Sequence, residues 1–381
     1  MRTFDTIVVG AGVIGSAAAM HLALRGKTLL LEQFEFLHGQ GSSHGGSRIY
    51  RHAYEDVNHV RLAQAAGGAW LQLEERGGER LLFPTGGLDV AGAGSQELRV
   101  LLGALAAAGR PASLLSGHEV SARFPAYTLD EDFEAVYQED AGLLAAERAV
   151  ATLQRCAAAE GAVLRERERV VDVRQAPTHV DVITERERYE AGKVVVAAGA
   201  WLSQLVAMAG VRLKVIAQQV CYLRTGDDAA RFDLTRMPIF IDRSRPSAGT
   251  LYGLPVFELP HAVKVGDHTG APAARVGVDP DRRPRDADPV WARQTATGAR
   301  RLLGGLSGEV VAAATCLYTM SPDERFIIDV LPDMPDVIVA GAGSGHAFKF
   351  GPLLGEAVAD LATVGRSRYD LSPFSLGRFR G

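Results

Sequence analysis

The sequence predicts an α/β protein, α+β overall, whose parallel sheet is built from both chain ends around an inserted, mostly antiparallel middle. Three observations support this. A short apolar strand, a glycine-rich turn and a helix follow one another within residues 6–24, and the apolar runs 194–199 and 337–340 also lead into small residues. The stretch 213–277 consists of short extended runs separated by Pro, Gly and Asp. Ligands bind outside the carboxyl ends of parallel strands, so three such ends suit one long ligand.

Size and charge limit the class of protein. The 381 residues suffice for two domains, and the net charge of −4 gives no support to a nucleic-acid or anionic-membrane partner. The three cysteines are odd in number and form no CxxC pair, which argues against a disulfide scaffold or a zinc site; we expect no metal and a reducing compartment. No signal peptide or apolar run of about 20 residues is found, so the cytoplasm is the expected location.

Periodicity predicts the remaining elements. The first helix is expected to run to Leu24 and to stop at Gly26, and Ser95 is expected to cap a later helix that contains Leu98 and Leu105. Further helices are expected at about 57–75, 147–160, 286–303 and 350–363, and strands at 28–31, 163–173 and 180–183.

The segment Gly10-Ala11-Gly12-Val13-Ile14-Gly15 has the context of a dinucleotide-binding turn, because it follows a strand and opens a helix. Gly10 permits the tight turn, Gly12 lets the backbone approach a pyrophosphate at the helix N-terminus, and Gly15 allows close helix–strand packing. Glu32, 22 residues after Gly10, would accept hydrogen bonds from a ribose, and its carboxylate disfavours NADP. A purely structural glycine turn is the alternative.

The cofactor is predicted to be FAD rather than NAD. A simple NAD dehydrogenase keeps its nucleotide domain contiguous, whereas here both chain ends contribute, and FAD is long enough to reach the later turn Gly341–Gly345. We therefore expect a Rossmann-like FAD-binding domain from residues 1–80, 145–210 and 315–381. The substrate domain is expected to comprise residues 81–144 and 211–314.

Five further blocks carry a resemblance to a known family. They are, in chain order, Gly41–Gly45, Arg48–Tyr54, Thr315–Thr319, Phe326–Asp329 and Gly345–Phe350. Together with the N-terminal turn they resemble the monomeric sarcosine oxidase and N-methyltryptophan oxidase family, FAD-dependent amine oxidases of the D-amino acid oxidase superfamily. The blocks span nearly the whole chain, and the arginine-rich loop and the Cys and Lys motifs are not general features of dinucleotide folds.

The resemblance implies a covalent flavin, attached through the sulfur of Cys316; a buried structural cysteine is the alternative. Cys156 and Cys221 are expected in the core. The other residues expected at the cofactor, besides the turn and Glu32, are Ile14, Ser42, Ser43, His44, Arg48, Val170, Ala198, Gly199, Gly343, Gly345, His346, Phe348 and Lys349.

The resemblance also implies the substrate site. Arg51 and Lys349 would bind a substrate carboxylate, because a guanidinium grips a carboxylate bidentately and an ammonium adds a point charge. Lys264 matches the family lysine that promotes reaction with O₂. His268, Tyr252 and Tyr318 match an active-site histidine and tyrosines that line the substrate cavity. The alternatives are a solvated loop charge for Arg51, an edge-strand lysine for Lys264, and structural packing for the other three.

Three departures from the family pattern leave the substrate open. Glu55–Asn58 replaces a flap that usually contains Gly, and Gly46-Ser47 replaces an acidic-hydroxyl pair. The stretch from Gly253 to Lys264 is one residue longer, with Glu258 and Pro260 expected near the pocket.

We expect an oxidase of a secondary amino acid, N-methyl or cyclic, that forms an imine and reduces O₂ to H₂O₂, as a monomer or small homo-oligomer. The alternatives are a biosynthetic oxidase or desaturase of the same fold, a dehydrogenase with a non-oxygen acceptor, and a non-catalytic flavin-binding protein.

Overall fold

The computed structural model describes residues 2–208, 210–244 and 249–380. Its strands are β1 Arg2–Val9, β2 Thr28–Leu31, β3 Ser47–Tyr50, β4 Leu82–Pro84, β5 Gly87–Gly92, β6 Ser113–Ser116, β7 Phe133–Gln138, β8 Gly142–Ala145, β9 Val163–Arg165, β10 Val170–Gln175, β11 Val180–Thr184, β12 Arg188–Val196, β13 Lys214–Thr225, β14 Ile239–Asp242, β15 Leu251–Leu254, β16 Ala262–Asp267, β17 Leu306–Met320, β18 Ile327–Leu331 and β19 Met334–Gly341. Its α-helices are α1 Val13–Ala23, α2 Val57–Gly77, α3 Gln96–Ala107, α4 Gly117–Arg123, α5 Ala146–Ala159, α6 Leu202–Leu205, α7 Pro289–Ala299 and α8 Gly351–Val364.

The first sheet joins strands from distant parts of the chain. Its order is β10-β11-β12-β1-β2-β9, with β19 beside β12 and β18 beside β19, and β1, β2, β9, β12 and β19 run parallel. Val8 pairs with Val195, and Val195 pairs with Ile338. The three apolar runs of the sequence are therefore neighbours, and their carboxyl ends meet at one edge.

The two faces of this sheet are buried against different layers. Val8, Leu30, Val195 and Ile338 point into a core shared with α1, α2, α5 and α8. The alternate residues, among them Ile7 and Val194, pack in a second core on the opposite face. Because both faces are covered, the central strands are nearly continuous in apolar residues rather than alternating.

The second sheet is mostly antiparallel, as predicted. Its order is β17-β13-β16-β15-β14-β5-β7-β6, and the parallel pair within it is β5 with β14. α7 packs on one face through Ala292, Ala296 and Ala299. β16, which carries Lys264, lies between β13 and β15, so the alternative of an edge-strand lysine is wrong.

A small sheet, β3-β8-β4, completes the described strands. The first large sheet takes residues 2–31, 163–196 and 327–341, and the second takes 87–138 and 214–320. This distribution supports the predicted two-domain division, whose limits we retain as a proposal. Within the described ranges, every helix is too short or too polar to cross a membrane.

Three predicted elements differ from the structure. The strand expected at 163–173 is broken at residues 166–169, because β9 joins one edge of the sheet beside β2 whereas β10 joins the opposite edge beside β11. The helix expected at 286–303 begins only at Pro289, where the Asp288 carboxylate accepts hydrogen bonds from the amides of Val290 and Trp291, and it ends at Ala299. The first helix already ends at Ala23, with Leu24 rather than Gly26 as its cap.

Helix α8 approaches α1 closely at a glycine. A Cβ placed on Gly355 would lie 2.3 Å from the Cβ of Ala17 and 2.5 Å from its carbonyl carbon. Two helices can be this close only where one of them lacks a side chain.

Replacing Gly355 by Ala should therefore lower the free energy of unfolding by about 1–3 kcal/mol through overpacking, as measured by urea denaturation. The matched control is Gly103→Ala in α3, where a Cβ meets nothing within 4 Å. That change should stabilise the protein by about 0.5–1 kcal/mol. Equal effects of the two substitutions would contradict the packing argument.

Candidate active site

One cavity of about 620 Å³ extends from the carboxyl edge of the first sheet to the second sheet. Its lining contains every site residue expected from the sequence except Gly15: Gly10, Gly12, Ile14, Glu32, Ser42, Ser43, His44, Arg48, Arg51, Val170, Ala198, Gly199, Tyr252, Lys264, His268, Cys316, Tyr318, Gly343, Gly345, His346, Phe348 and Lys349. Gly15 lies beneath the turn, where a Cβ would come within 1.8 Å of the Gly10 carbonyl oxygen. The fold thus brings together residues that are more than 300 positions apart.

The glycine turn leaves the start of α1 open to an anion. Gly10 has a φ of +101°, and a Cβ there would lie 2.6 Å from the carbonyl oxygen of Ala197 on the neighbouring strand. Gly12 is the N-cap residue and has no side chain that could cap the helix. The Ser43 hydroxyl accepts a hydrogen bond from the Val13 amide at 3.1 Å. Free N–H groups and the helix dipole favour a phosphate at this position.

Glu32 is fixed at the end of β2. Its carboxylate accepts hydrogen bonds from the amides of Ala11 at 2.8 Å and Phe34 at 3.1 Å, and it lies 3.3 Å from the ring of His38. The residue is buried yet borders the cavity. It therefore holds the glycine turn as well as facing the place where the sequence predicts a ribose.

The late turn, residues 341–345, is strained. Ala342, Ser344 and Gly345 have φ values of 51°, 45° and 78°, in the left-handed region that costs non-glycine residues energy. A Cβ on Gly345 would lie 2.5 Å from the ring of Tyr318 and 2.6 Å from that of His268. The missing side chain lets both rings approach the end of β19.

Two cations meet at one tyrosine. The Lys349 ammonium donates hydrogen bonds to the Tyr54 hydroxyl at 2.9 Å and to the His346 carbonyl at 2.8 Å. The Arg51 guanidinium lies 4.7 Å from the centre of the Tyr54 ring. Burial, with Arg51 adding to it, holds the pKa of Lys349 well below its usual range. An anion placed between these groups would supply the counter-charge that the lysine lacks.

Arg51 is shielded rather than solvated. Its side chain is 12% exposed, so the alternative of a solvated loop charge is wrong. Asp89, 1% exposed, lies 3.8 Å from Arg51 and accepts a hydrogen bond from Arg243 at 2.9 Å. Arg243 also pairs with Glu55 at 3.0 Å and with Glu97. No role was assigned to Arg243 from the sequence. Its position directly after an apolar strand could have indicated that it lies at the cavity.

The aromatic groups near this pair are uncharged at neutral pH. Burial, with the charges of Lys349 and Arg51 adding to it, lowers the pKa of His268 to about 4. Burial raises the pKa of Tyr252 to about 12, and Tyr252 hydrogen-bonds Tyr318. His268 is thus a neutral imidazole that can accept a hydrogen bond.

A second group of cations lies on the wall formed by β16 and the loop before β3. Lys264 is buried and donates hydrogen bonds to the Ser47 carbonyl at 3.2 Å and to the Glu258 carboxylate at 2.6 Å. Arg48 donates to the carbonyls of Ser42, His44 and Ser47. Neutral carbonyl oxygens hold Arg48, so it keeps a net positive charge beside the cavity.

The three cysteines lie where the sequence places them. Cys156 is buried on α5 and Cys221 on β13, in agreement with their predicted core positions. Cys316 is also buried, on β17, but borders the cavity. Burial raises the pKa of its thiol, against the opposing charges of Arg48 and Lys264.

The cavity fits FAD. Within the described residues, three buried polar atoms of its lining have no hydrogen-bond partner: His44 Nε2, Arg51 Nη1 and Thr319 Oγ1. Buried polar groups without partners are costly, so these atoms indicate a polar ligand. The uncapped start of α1 suits the pyrophosphate, and the long shape suits a dinucleotide with a flavin at its far end.

Comparison with known proteins agrees with this geometry. A family model described as FAD dependent oxidoreductase matches residues 5–361. The chain belongs to this FAD-dependent oxidoreductase family. The resemblance stated from the sequence, and FAD as the cofactor, are thereby confirmed.

Relatives span the whole chain of this FAD-dependent oxidoreductase. A probable sarcosine oxidase of Arabidopsis thaliana is 35% identical and covers 99% of this chain and 92% of its own length. A monomeric sarcosine oxidase of a Bacillus species is 32% identical, covering 98% and 96%. The solved structure of NikD, titled an unusual amino acid oxidase essential for nikkomycin biosynthesis, has a TM-score of 0.86 and 26% identity, with 98% of each chain covered.

The carboxylate of Asp89 should stabilise the folded protein, because it balances the charges of Arg51 and Arg243. Replacing Asp89 by Asn leaves Arg51 without a nearby carboxylate and weakens the hydrogen bond to Arg243, so we expect the free energy of unfolding to fall by about 1.5–3 kcal/mol in urea denaturation. The control is Asp132→Asn, whose side chain is exposed in a turn and should change the stability by less than about 0.5 kcal/mol. An unchanged stability of the Asp89 variant would show that this carboxylate is dispensable.

Proposed function

We propose that the protein is an FAD-dependent oxidase of a secondary amino acid, N-methyl or cyclic, with O₂ as the electron acceptor. One observation carries the proposal: Arg51 and Lys349 converge on Tyr54 in the cavity that fits FAD. A buried ammonium without a carboxylate partner is unfavourable, so this place favours an anionic group of the substrate. The substrate names of the relatives point to the same class of compound.

The proposed binding mode uses both cations for the substrate carboxylate. Nη1 of Arg51, which has no hydrogen-bond partner and lies 3.8 Å from Asp89, and the Lys349 ammonium would each donate to it. The carboxylate would raise the pKa of Lys349 towards its usual range. Binding of the acid and charging of the lysine therefore reinforce each other. The carboxylate fixes one end of the substrate, so its C–H and amine are oriented along the cavity.

The amine has to be uncharged before its C–H bond can break. Burial and the positive charges of Lys349 and Arg51 keep His268 neutral, with a pKa of about 4, so its ring nitrogen would accept a hydrogen bond from the amine and hold the amine in place. The proton of the substrate ammonium would leave to solvent, favoured by the same positive charges. Tyr252 and Tyr318 keep their hydroxyl protons and would form the wall against the substrate. When bound, FAD supplies the redox chemistry: it takes up two electrons and returns them to O₂.

The reaction balances with O₂ as the oxidant. The substrate loses two electrons and two protons as its C–N bond becomes C=N, and O₂ takes up both pairs and leaves as H₂O₂. Water then adds to the imine. Lys264 would stabilise the negative charge that develops on oxygen, since a buried cation acts strongly in a cavity that excludes water.

FAD would be held by the glycine turn, by Glu32 and by the polar groups of the loop around His44. We propose in addition that the sulfur of Cys316 attaches the flavin covalently, supported by the position of Cys316 on the cavity wall near Arg48 and Lys264. The new C–S bond would replace the S–H bond of the thiol and one C–H bond of the flavin, and O₂ would take up the two electrons and two protons released. The cytoplasm remains the proposed compartment, in line with three unpaired cysteines.

A second candidate function is a biosynthetic oxidase that desaturates a cyclic amino acid. The similarity to NikD favours it, and so does Glu55, which borders the cavity in the stretch where the family flap usually has Gly. Arg243, which pairs with Glu55, also borders the cavity. The two candidates use the same carboxylate site and differ in the ring or chain that the substrate carries.

A peroxide-coupled screen of N-methyl, cyclic and glycated amino acids tests the function. For a substrate that has a free carboxylate, we expect the amount of H₂O₂ formed to equal the amount of substrate oxidised. Arg51→Ala should lose about 2–5 kcal/mol in kcat/KM, because the substrate carboxylate loses its bidentate partner. The exposed Arg61→Ala is the control and should retain full activity. Reduction of an artificial acceptor without any peroxide would favour a dehydrogenase instead.

Cys316→Ala should abolish the covalent flavin. Acid precipitation of this variant should release FAD into the supernatant, whereas the wild type and the control Cys156→Ala should keep it with the protein, as seen by flavin absorbance. Flavin that stays bound to the precipitated Cys316 variant would refute the attachment.

A further inference from the structure

The carboxylate of Glu258 lies directly behind Lys264. Glu258 belongs to the connection between β15 and β16, and its side chain is 11% exposed. Lys264, Ser47 and Tyr222 border the cavity, whereas Glu258 does not. Any effect of Glu258 on the cavity therefore passes through the groups that it contacts.

Four donors converge on this carboxylate. Oε1 accepts from the Lys264 ammonium at 2.6 Å and from the Ser47 hydroxyl. Oε2 accepts from the Gly46 amide at 2.9 Å and from the Tyr222 hydroxyl at 2.6 Å. Two oxygens with four good donors make a fixed anion rather than a mobile surface charge.

Two departures from the family pattern meet here. A Cβ on Gly46 would lie 2.5 Å from Cγ of Glu258, so the carboxylate has room only because residue 46 is glycine. Glu258 itself stands in the connection that is one residue longer than expected. The loop and the connection are more than 200 residues apart in sequence, so their joint change indicates one arrangement around Lys264.

Charged and polar groups face Lys264 from several neighbouring elements. Arg48 approaches from β3, His44 from the loop before it, Tyr222 from β13, Cys316 from β17 and Glu258 from the connection between β15 and β16. Burial lowers the pKa of Lys264 to about 8 and Arg48 adds to the lowering, while Glu258 opposes both. Burial by itself would raise the pKa of Glu258, but the Lys264 ammonium and the hydrogen bonds from Lys264, Ser47 and Tyr222 lower it to about 2.

Glu258 is therefore ionised wherever Lys264 can titrate. Without its charge, burial and Arg48 would act on the lysine unopposed, and the neutral amine would dominate at lower pH. The wall of the cavity would then lose its ammonium under neutral conditions.

We propose that Glu258 is a positioning residue for the oxygen reaction, which keeps Lys264 protonated and holds its ammonium against the cavity. The inference rests on the proposed oxidase function. It predicts that Glu258 acts only on the step with O₂ and only through Lys264, and that it plays no part in binding the substrate carboxylate.

The test is Glu258→Gln in the flavin-loaded enzyme, because the amide keeps the size of the side chain but carries no charge. Stopped-flow absorbance should show that reoxidation by O₂ is on the order of tenfold slower than in the wild type at neutral pH. The rate should recover as the pH falls, because above the pKa each unit by which the pKa of Lys264 is lowered reduces its protonated fraction about tenfold. In the wild type the rate should fall only above about pH 8. Anaerobic reduction by the substrate should be unchanged.

A binding measurement gives a readout besides activity. Sulfite is an anion that bleaches the visible absorbance of bound flavin, and a nearby ammonium favours its binding. The Kd of sulfite for the Glu258→Gln variant, divided by the Kd for the wild type, should rise as the pH rises. The midpoint of this rise should lie below the pKa of Lys264 in the wild type. Taking the ratio at each pH removes the titration of sulfite itself.

Three further variants decide the interpretation. Glu309→Gln removes a carboxylate from an exposed ion pair with Arg224 and should change neither measurement. Gly46→Ala, which displaces Glu258, should reproduce the shift. In a Lys264→Met background, Glu258→Gln should have no additional effect on the O₂ reaction.

The outcomes separate the inference from the function. An unshifted pH profile, or an equal loss in both half-reactions, overturns the role of Glu258 while peroxide formation still supports the oxidase. An effect of Glu258→Gln that persists without Lys264 also overturns it. If Lys264→Met reacts normally with O₂, the proposed role of the lysine fails, and that of Glu258 fails with it.

Discussion

Uncompensated positive charge inside one cavity is the constraint on which this site depends. Lys349 and Arg51 are largely shielded from water, Arg48 is half-buried, and the carboxylate of Asp89 beside Arg51 is shared with Arg243. Burying charge is expensive unless a partner is supplied. In the proposed function, the missing negative charge comes from the carboxylate of the substrate and from the oxygen that is being reduced. Burial lowers the pKa values of Lys349 and His268, and the neighbouring positive charges lower them further.

The architecture makes this concentration of charge possible. The parallel sheet brings β1, β12 and β19 side by side, so the glycine turn and the strained turn at residues 341–345 lie at one edge. The antiparallel sheet supplies the facing wall, with Lys264 on an interior strand. Neither sheet contains a complete site. Strain in the late turn is tolerated because packing on both sides of the sheet fixes the backbone.

The two buried lysines of the cavity have different hydrogen-bond partners. Lys349 donates to a hydroxyl and a carbonyl, and its pKa is well below the usual range. Lys264 has a carboxylate at 2.6 Å and a pKa of about 8. In the proposed function, Lys349 gains its counter-ion from the substrate, whereas Lys264 already has a carboxylate beside it. This difference suits two steps that occur at different times and need the cation for different reasons.

The sequence by itself determined the elements that depend on neighbouring residues. The turn Gly10–Gly15 needs glycine for its backbone angles, the apolar runs suit a sheet covered on both faces, and Ser95 does cap the helix that it precedes. The motif blocks indicated the family, and every site residue predicted from the sequence except Gly15 borders the cavity. Even so, the strand expected at 163–173 was wrong, because no local pattern shows that its halves join opposite edges of a sheet.

Tertiary structure decided what the charges do. The approach of Lys349 to Arg51 and Tyr54 and the sharing of Asp89 with Arg243 join segments that only packing brings together. Lys264 and Glu258 are six residues apart, but the course of the connection before β16 decides that they pair. Whether a lysine is buried beside an acid or beside a carbonyl depends on distances of a few ångströms, and periodicity carries no such information. The sequence gives no physical reason for a glycine at position 46. In the fold, the side chain of Glu258 occupies the space that a side chain at position 46 would need.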